Sequence, residues 1–314
     1  MNVLITELMW PDGIQLLKEV ANVEYAPDLW QKRAALLSKV IDVDALIVRN
    51  QTKVDQKLLA HAKNLKVVGR LGVGLDNINV DEARNYGVNV VYARNANAIS
   101  VAEYVMTAIL SISRTLNEAD ISVKHGQWNR RLFTGSEVYN KMLGLVGVGE
   151  IAHRIAKRAT AFGMNVLGYD PFVTEYDFPV AETGITLTTF ETLLSTADFI
   201  SIHVPLLPET KNLFKAEQFA KMKPSSCLIN TSRGGIVNEA DLNTSLENKQ
   251  IAKAILDVLE VEPPAENHPL LKNDNVIITP HIAGLTEQSQ RRTSRLVAND
   301  VIKVLKHERP LSQV

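Results

Sequence analysis

Met142-Leu-Gly-Leu-Val-Gly147-Val-Gly149-Glu-Ile-Ala152, answered downstream by Val166-Leu-Gly-Tyr-Asp170, is the stretch on which the fold turns. An apolar run over 143–146 ends at two glycines. It gives way to a helical pattern, Ile151, Ile155, Ala156, Ala159 and Phe162, closed by Gly163, and a second apolar run then ends on an acid. Gly147 permits a tight turn out of a strand, Gly149 lets backbone amides approach a pyrophosphate, and the helix behind them aims its positive end at that anion. Ala152, where a third glycine is usual, is still small enough for close helix packing. Asp170 falls about 20 residues further on, where a carboxylate can bond a ribose 2′-hydroxyl and repel a 2′-phosphate; NAD is therefore expected over NADP.

Working outward, the same alternation fills the chain. Strand patterns over residues 3–6, 23–26, 45–49, 66–71 and 88–93 alternate with helical patterns over 13–20, 29–40, 54–60 and 80–86. Beyond the glycine turn, strands are expected over 165–170, 199–204, 227–231, 254–258 and 276–279, with helices over 189–196, 217–222 and 239–247. Strand, helix, strand at this spacing implies parallel sheets covered on both faces, an α/β architecture. Ser100-Val-Ala-Glu103 reads as a capping box opening a long helix to about Glu118. A last helical pattern over 287–305 has no strand after it and suits either half of the chain. At 314 residues the chain is long for one core, which points to two domains with boundaries near 97 and 285.

Composition narrows the function classes. With 46% hydrophobic and 22% charged residues and a formal net charge of -1, nothing favours nucleic acid or an anionic membrane surface as partner. The most apolar segment, 99–116, is interrupted by Ser100, Glu103, Thr107, Ser111 and Ser113, so no membrane span is expected. The amino terminus lacks a basic region ahead of its apolar run, which suggests a cytoplasmic protein whose first residues form a buried strand. Cys227 is the single cysteine, which excludes an internal disulfide, and the seven histidines are scattered, so no metal site is expected.

Three residues in the second half each follow a strand pattern, where open α/β sheets gather their ligands: Arg233, Glu262 and His281. Singly, each has a plain alternative as a loop cation, a surface acid and a histidine bonded to backbone. Together they match one reaction. Oxidising an alcohol next to a carboxylate requires a base for the hydroxyl proton and a cation for the carboxylate and developing carbonyl. Histidine titrates near neutrality, a neighbouring carboxylate orients its ring, and arginine grips a carboxylate bidentately. An echo of the glycine turn, Val68-Gly-Arg-Leu-Gly72-Val-Gly74, is either a turn needing positive φ or an anion-holding loop.

Thr231-Ser-Arg233-Gly-Gly-Ile-Val237, Leu256-Asp257-Val-Leu-Glu-Val-Glu262-Pro-Pro264 and Thr279-Pro-His281-Ile-Ala-Gly284, behind the two glycines and Asp170, resemble the D-isomer-specific 2-hydroxyacid dehydrogenases over nearly the whole chain. The resemblance implies two doubly wound parallel-sheet domains. A Rossmann cofactor domain, 98–284, would be inserted into a flavodoxin-like substrate domain made of 1–97 and 285–314. It implies substrate binding by Arg233, acid/base work by His281 and orientation of that ring by Glu262. Cofactor contacts are implied for Gly147, Gly149, Glu150, Ile151, Asp170, His203, Pro205, Thr231 and Asp257. Glu150 stands where a basic residue is common.

Within the family the sequence is most similar to the D-3-phosphoglycerate dehydrogenases. Arg49-Asn-Gln-Thr-Lys53, Val67-Val-Gly-Arg70, Gly74-Leu-Asp-Asn77 and Gly126-Gln-Trp-Asn-Arg130 resemble segments lining the substrate site there. Arg49, Arg70 and Arg130 would then meet a distal anion, and amides at Val73 and Gly74 a carboxylate; pairing of Arg49 or Arg130 with a surface acid is the alternative. Leu71 and Val73 depart from the smaller or hydroxylated residues usual in that loop. They leave open a sulfolactate dehydrogenase or a broad glyoxylate or hydroxypyruvate reductase; a non-enzymatic NAD-sensing corepressor is disfavoured by the retained triad. The sequence ends at Val314 without an amino-acid-binding regulatory domain, so serine feedback is not expected, and the resemblance implies a homodimer through the helix from Ser100.

Overall fold

The computed structural model describes residues 1–314. Contacts divide the chain into two compact units, Met1–Asn97 with Leu285–Val314, and Ala98–Gly284.

The first unit is built on five parallel strands, β1 (Asn2–Ile5), β2 (Asn22–Tyr25), β3 (Ala45–Val48), β4 (Val67–Arg70) and β5 (Asn89–Tyr92), in the order β2-β1-β3-β4-β5. This is the flavodoxin-like order, whose direction reverses between β1 and β3. Helices α1 (Pro11–Lys18), α2 (Arg33–Lys39), α3 (Gln56–His61) and α4 (Val80–Asn85) connect the strands. β3 is buried at all four positions because apolar clusters cover both faces of the sheet. The single helix expected over 29–40 is broken: a 3-10 turn at Leu29–Gln31 precedes α2, and another at Val40–Asp42 follows it. Lys32, at φ -113 and ψ 69, leaves helical geometry between them.

The second unit begins with α5 (Ala98–Arg114) and α6 (Leu116–Lys124). Ser100 does not cap α5. It lies inside the first turn and is buried, because the small Ala98 and Ser100 let the helix start earlier against its core. Thr115, at φ 43, ends α5 short of Glu118 and bends the chain by 52° into α6. No single helix is long and apolar enough to cross a membrane. Strands β6 (Met142–Val146), β7 (Asn165–Tyr169), β8 (Thr186–Leu187), β9 (Phe199–Ile202), β10 (Cys227–Asn230), β11 (Lys253–Leu256) and β12 (Val276–Ile278) form one parallel sheet. Its order, β12-β11-β10-β9-β6-β7-β8, is the Rossmann pattern with one added strand and reverses between β6 and β9. The helices α7 (Glu150–Ala161), α8 (Phe178–Ala181), α9 (Phe190–Thr196), α10 (Ala216–Lys221) and α11 (Glu239–Glu247) complete the unit. The fully buried Ala152, Ile155, Ala156 and Ala159 of α7 pack in one cluster with Ala102, Val105 and Ile109 of α5.

The last helix, α12 (Glu287–Leu305), returns to the first unit. Val297 and Val301 are wholly buried beside β4, and a Cβ at Gly69 would sit 2.7 and 2.8 Å from their methyl groups. Only glycine lets the helix approach that closely. Each buried valine contributes about 1.5–3 kcal/mol, enough for two to anchor a helix distant in sequence.

Candidate active site

The ends of β6 and β9 meet where the second sheet reverses. His203 N donates to the Val146 carbonyl at 2.7 Å, and Gly147 turns out of β6 at φ 91. A Cβ there would lie 2.8 Å from the His203 carbonyl, so the turn needs glycine for both conformation and space. Gly149 is the N-cap of α7 and supplies no side-chain cap, and a Cβ on it would meet nothing within 4 Å. The first N–H groups of α7 therefore open onto free space at the positive end of a 12-residue helix, which fits a pyrophosphate. Ile151, half-buried, lies in that first turn. Glu150 pairs with Arg154 one turn along the helix, which offsets an acid beside a phosphate site. The Asp170 carboxylate accepts from Val148 N and Phe172 N, both at 2.9 Å, and so ties the end of β7 to the glycine turn.

Further along that edge, the buried Thr231 hydroxyl has no partner in the protein, an orphaned group that a bound nucleotide can satisfy. His203 Nε2 lies 2.8 Å from Ser201 Oγ, and burial drives its pKa down to about 3. The ring therefore stays neutral near neutral pH and is unsuited to proton transfer there. Pro205 is exposed, and its carbonyl accepts from the Thr210 hydroxyl. These features fit a dinucleotide held by Gly147, Gly149, the first turn of α7 and Asp170.

Arg233, Glu262 and His281 follow β10, β11 and β12, adjacent strands of the same sheet. The Asn230 side chain folds the Arg233 turn, donating to the Arg233 carbonyl at 2.9 Å and accepting from Ser232 N at 3.0 Å. The Arg233 guanidinium donates to the Ser232 carbonyl at 2.7 Å. His281 Nδ1 meets Glu262 Oε2 at 2.8 Å, while Glu262 Oε1 accepts from Leu259 N at 3.1 Å. Burial pushes the Glu262 carboxyl up, but His281, the Leu259 amide and the Arg233 charge outweigh it and hold the group below its ordinary value. An ionised Glu262 thus faces Nδ1 and leaves Nε2 of a part-exposed ring for a proton.

Asp257 was expected among the cofactor contacts. Its carboxylate, 1% exposed, accepts from Thr279 Oγ1 at 2.6 Å, Ile282 N at 2.8 Å and Ala283 N at 2.7 Å. It therefore holds the turn that carries His281, which sits at φ 55. The Thr279 proton is committed to Asp257, so Tyr104, with its hydroxyl 2.5 Å from Thr279 Oγ1, is the donor there. Burial raises the Tyr104 pKa and keeps that proton in place, with the Asp257 charge acting in the same direction. The sequence motif before His281 includes Thr279 but assigns it no role, and Tyr104 gives no signal because a hydroxyl on an apolar helix face shows no pattern.

Of the anion-binding candidates in the first unit, Arg49 follows β3 and Arg70 ends β4. Both are half-buried. Burial pulls Arg49 below the ordinary arginine pKa, and the charge of Glu7 opposes that shift. Gly72, at φ 153, adopts a conformation open to glycine, and a Cβ there would fall 1.5 Å from Arg70 Nη1. Val73 is exposed and Gly74 half-buried beside it. Arg130 lies exposed in the other unit, on the segment after α6. Glu7, which is not among the expected site residues, accepts four successive backbone N–H groups, those of Arg49, Asn50, Gln51 and Thr52.

Comparison with known proteins follows the same lines. Residues 106–283 match the family model for the D-isomer specific 2-hydroxyacid dehydrogenase, NAD binding domain. The chain is 44% identical over 308 residues to the D-3-phosphoglycerate dehydrogenase of Methanocaldococcus jannaschii, an alignment covering 98% of this chain and 58% of that protein. It thus spans little more than half the length of the first such relatives. It is 43% identical over 304 residues to the (S)-sulfolactate dehydrogenase of Chromohalobacter salexigens, covering 97% of this chain and 98% of that one. Among solved structures, a Thermus thermophilus protein superposes with a TM-score of 0.92 at 30% identity, over 100% of both chains. With its glycine turn, two parallel sheets and NAD-binding domain, the chain belongs to the D-isomer specific 2-hydroxyacid dehydrogenase family.

Proposed function

We propose that this chain catalyses NAD-dependent oxidation of a small anionic D-type 2-hydroxy acid, or reduction of the 2-oxo acid, with 3-phosphoglycerate as the substrate. The observation that carries the reading is the His281–Glu262 contact at 2.8 Å, with the Arg233 charge acting on the same carboxylate. His281 Nε2 takes the proton of the substrate hydroxyl, Glu262 orients the ring, and Arg233 binds the carboxylate and polarises the forming carbonyl. Bound NAD would supply the hydride acceptor for C2. Gly147, Gly149, Glu150 and Ile151 would hold its pyrophosphate, Asp170 would select its ribose, and His203, Pro205 and Thr231 would line the nicotinamide side, with Asp257 acting through the turn that carries His281. Arg49 and Arg70 meet the distal anion, assisted by Arg130, and the amides of Val73 and Gly74 meet the carboxylate. Pairing as a homodimer would cover the exposed apolar side chains Leu116, Ile121, Trp128 and Leu132, which continue from the long helix that starts at Ala98.

A second reading, a C3 acid ending in sulfonate, is favoured by the coverage of the sulfolactate dehydrogenase along 98% of its length. The same arginines would bind it. Steady-state rates with 3-phosphoglycerate, sulfolactate and glyoxylate, using NAD(H) and NADP(H) in parallel, separate the readings. Arg49→Ala and Arg70→Ala should each raise KM for the preferred phosphate or sulfonate substrate by about 10–100-fold while sparing glyoxylate reduction. Equal losses on charged substrate and glyoxylate would sink the distal-anion assignment.

A further inference from the structure

The first sheet reverses direction between β1 and β3, and in open α/β sheets the crevice beyond such a reversal is where ligands bind. The loop leaving β3 there runs Arg49-Asn-Gln-Thr52, and its successive N–H groups converge on one point. Such a nest ordinarily cradles an external anion. Here a carboxylate of the chain fills it. Glu7, just past β1 and 3% exposed, accepts from Arg49 N at 2.7 Å and Thr52 N at 2.9 Å on Oε1, and from Asn50 N at 3.1 Å and Gln51 N at 2.9 Å on Oε2.

The carbonyls of the same loop are held from its other side. Asn77 Nδ2 donates to the Arg49 carbonyl at 3.2 Å and the Thr52 carbonyl at 2.7 Å. The Thr52 hydroxyl lies 2.8 Å from that of Thr6, beside Glu7. Within the loop itself only Thr52 is fully buried. Asn50, Gln51 and Lys53 are exposed, and a cavity of about 360 Å³ is lined in part by Gln51, Thr52 and Lys53. Hydrogen bonds to one buried carboxylate and one amide therefore set the loop's conformation. The anion is also electrostatically close to the Arg49 guanidinium and offsets part of its desolvation.

We propose that Glu7 is a positioning residue for distal-anion recognition: by filling the amide nest of loop 49–52 it presets the loop and the aim of Arg49. The external anion is then left to the guanidinium, because the amides are already occupied. This rests on the proposed role of Arg49, and the test separates the two. Glu7→Gln keeps the size of the side chain but turns an –NH2 toward two N–H donors, so half of the nest is lost. Glu7→Asp keeps the charge on a stem one methylene shorter.

KM and kcat are measured for 3-phosphoglycerate, sulfolactate and glyoxylate on the whole chain with saturating NAD(H), beside Arg49→Ala. The expected result is a rise in KM of about tenfold or more for the preferred charged substrate in Glu7→Gln, corresponding to loss of at least one charge-assisted bond. For glyoxylate, KM and kcat should stay within about twofold, Glu7→Asp should recover part of the loss, and Glu7→Gln should add little on top of Arg49→Ala. If Arg49→Ala shows the charged-substrate defect and Glu7→Gln does not, or loses activity equally on glyoxylate, the positioning role is overturned. If Arg49→Ala itself shows no such defect, the fault lies in the assignment of Arg49. Should Glu7→Gln not fold, Glu7→Asp decides: it must show the same KM-selective defect in weaker form, and wild-type KM values with it would overturn the role.

Discussion

His281 and His203 carry the same ring at the ends of two strands of one sheet, and their surroundings give them opposite properties. His203 is packed against Ser201 with no carboxylate beside it, and burial takes it to a pKa of about 3. His281 is part-exposed, bonded through Nδ1 to an ionised Glu262 and seated on a turn that Asp257 holds. Only the second has the carboxylate-paired, part-exposed ring that the proposed proton exchange requires. His281→Gln should lower kcat by about a hundred- to ten-thousandfold while NADH binding, followed by fluorescence, stays unchanged. Undiminished turnover in that variant would remove His281 as the base. The strand-end placement of Arg233, Glu262 and His281 was legible because each follows an apolar run. Glu7 was not, since its partners are backbone amides 42 to 45 residues away and carry no residue-type signal.

At the level of elements, the expected strands fall within two residues of their observed ends, most plainly in β3, β9 and β10, where a run buried at every position must be largely apolar. β8, with two residues, and α8, with four, are too short to show a period and went unseen. The helices misjudged over 29–40 and around Ser100 went wrong at their boundaries, where one backbone angle at Lys32 or Thr115, or the burial of Ala98, overrides the periodic pattern. The pairing of β6 with β9 has a measurable cost. His203 follows β9 beneath the Gly147 turn, and burial holds its pKa near 3, well below the ordinary histidine value, so the unfolded chain takes up the proton first. The stability from this group is complete above about pH 6.5 and falls as pH drops toward 3, by about 2 kcal/mol at pH 5. Urea midpoints at pH 7.5 and 5.0 should therefore differ more for the wild type than for His203→Gln. Equal differences would place the acid sensitivity elsewhere.

For the whole molecule, the chain leaves the first unit after Asn97 and returns to it at Leu285, with α12 seated on β4 through Gly69. The apolar side chains Leu116, Trp128 and Leu132, exposed on α6 and the segment after it, are where the proposed homodimer is tested. Sedimentation should give a particle of twice 34.8 kDa, and Trp128→Glu with Leu132→Glu should halve it without loss of helix content. A monomer in the wild type at micromolar concentration would end the dimer proposal. Taken alone, the sequence determined the α/β class, the glycine turn ahead of α7 and the strand ends that bear Arg233, Glu262 and His281. These are local matters, since periodicity records which residues are buried and glycine records where a chain must turn. Only the tertiary structure decided that α12 packs on β4, that Asp257 lies beneath the His281 turn and that Glu7 fills the nest of loop 49–52. The order of strands in each sheet sets which distant groups meet, and a buried carboxylate must take whichever donors that order supplies.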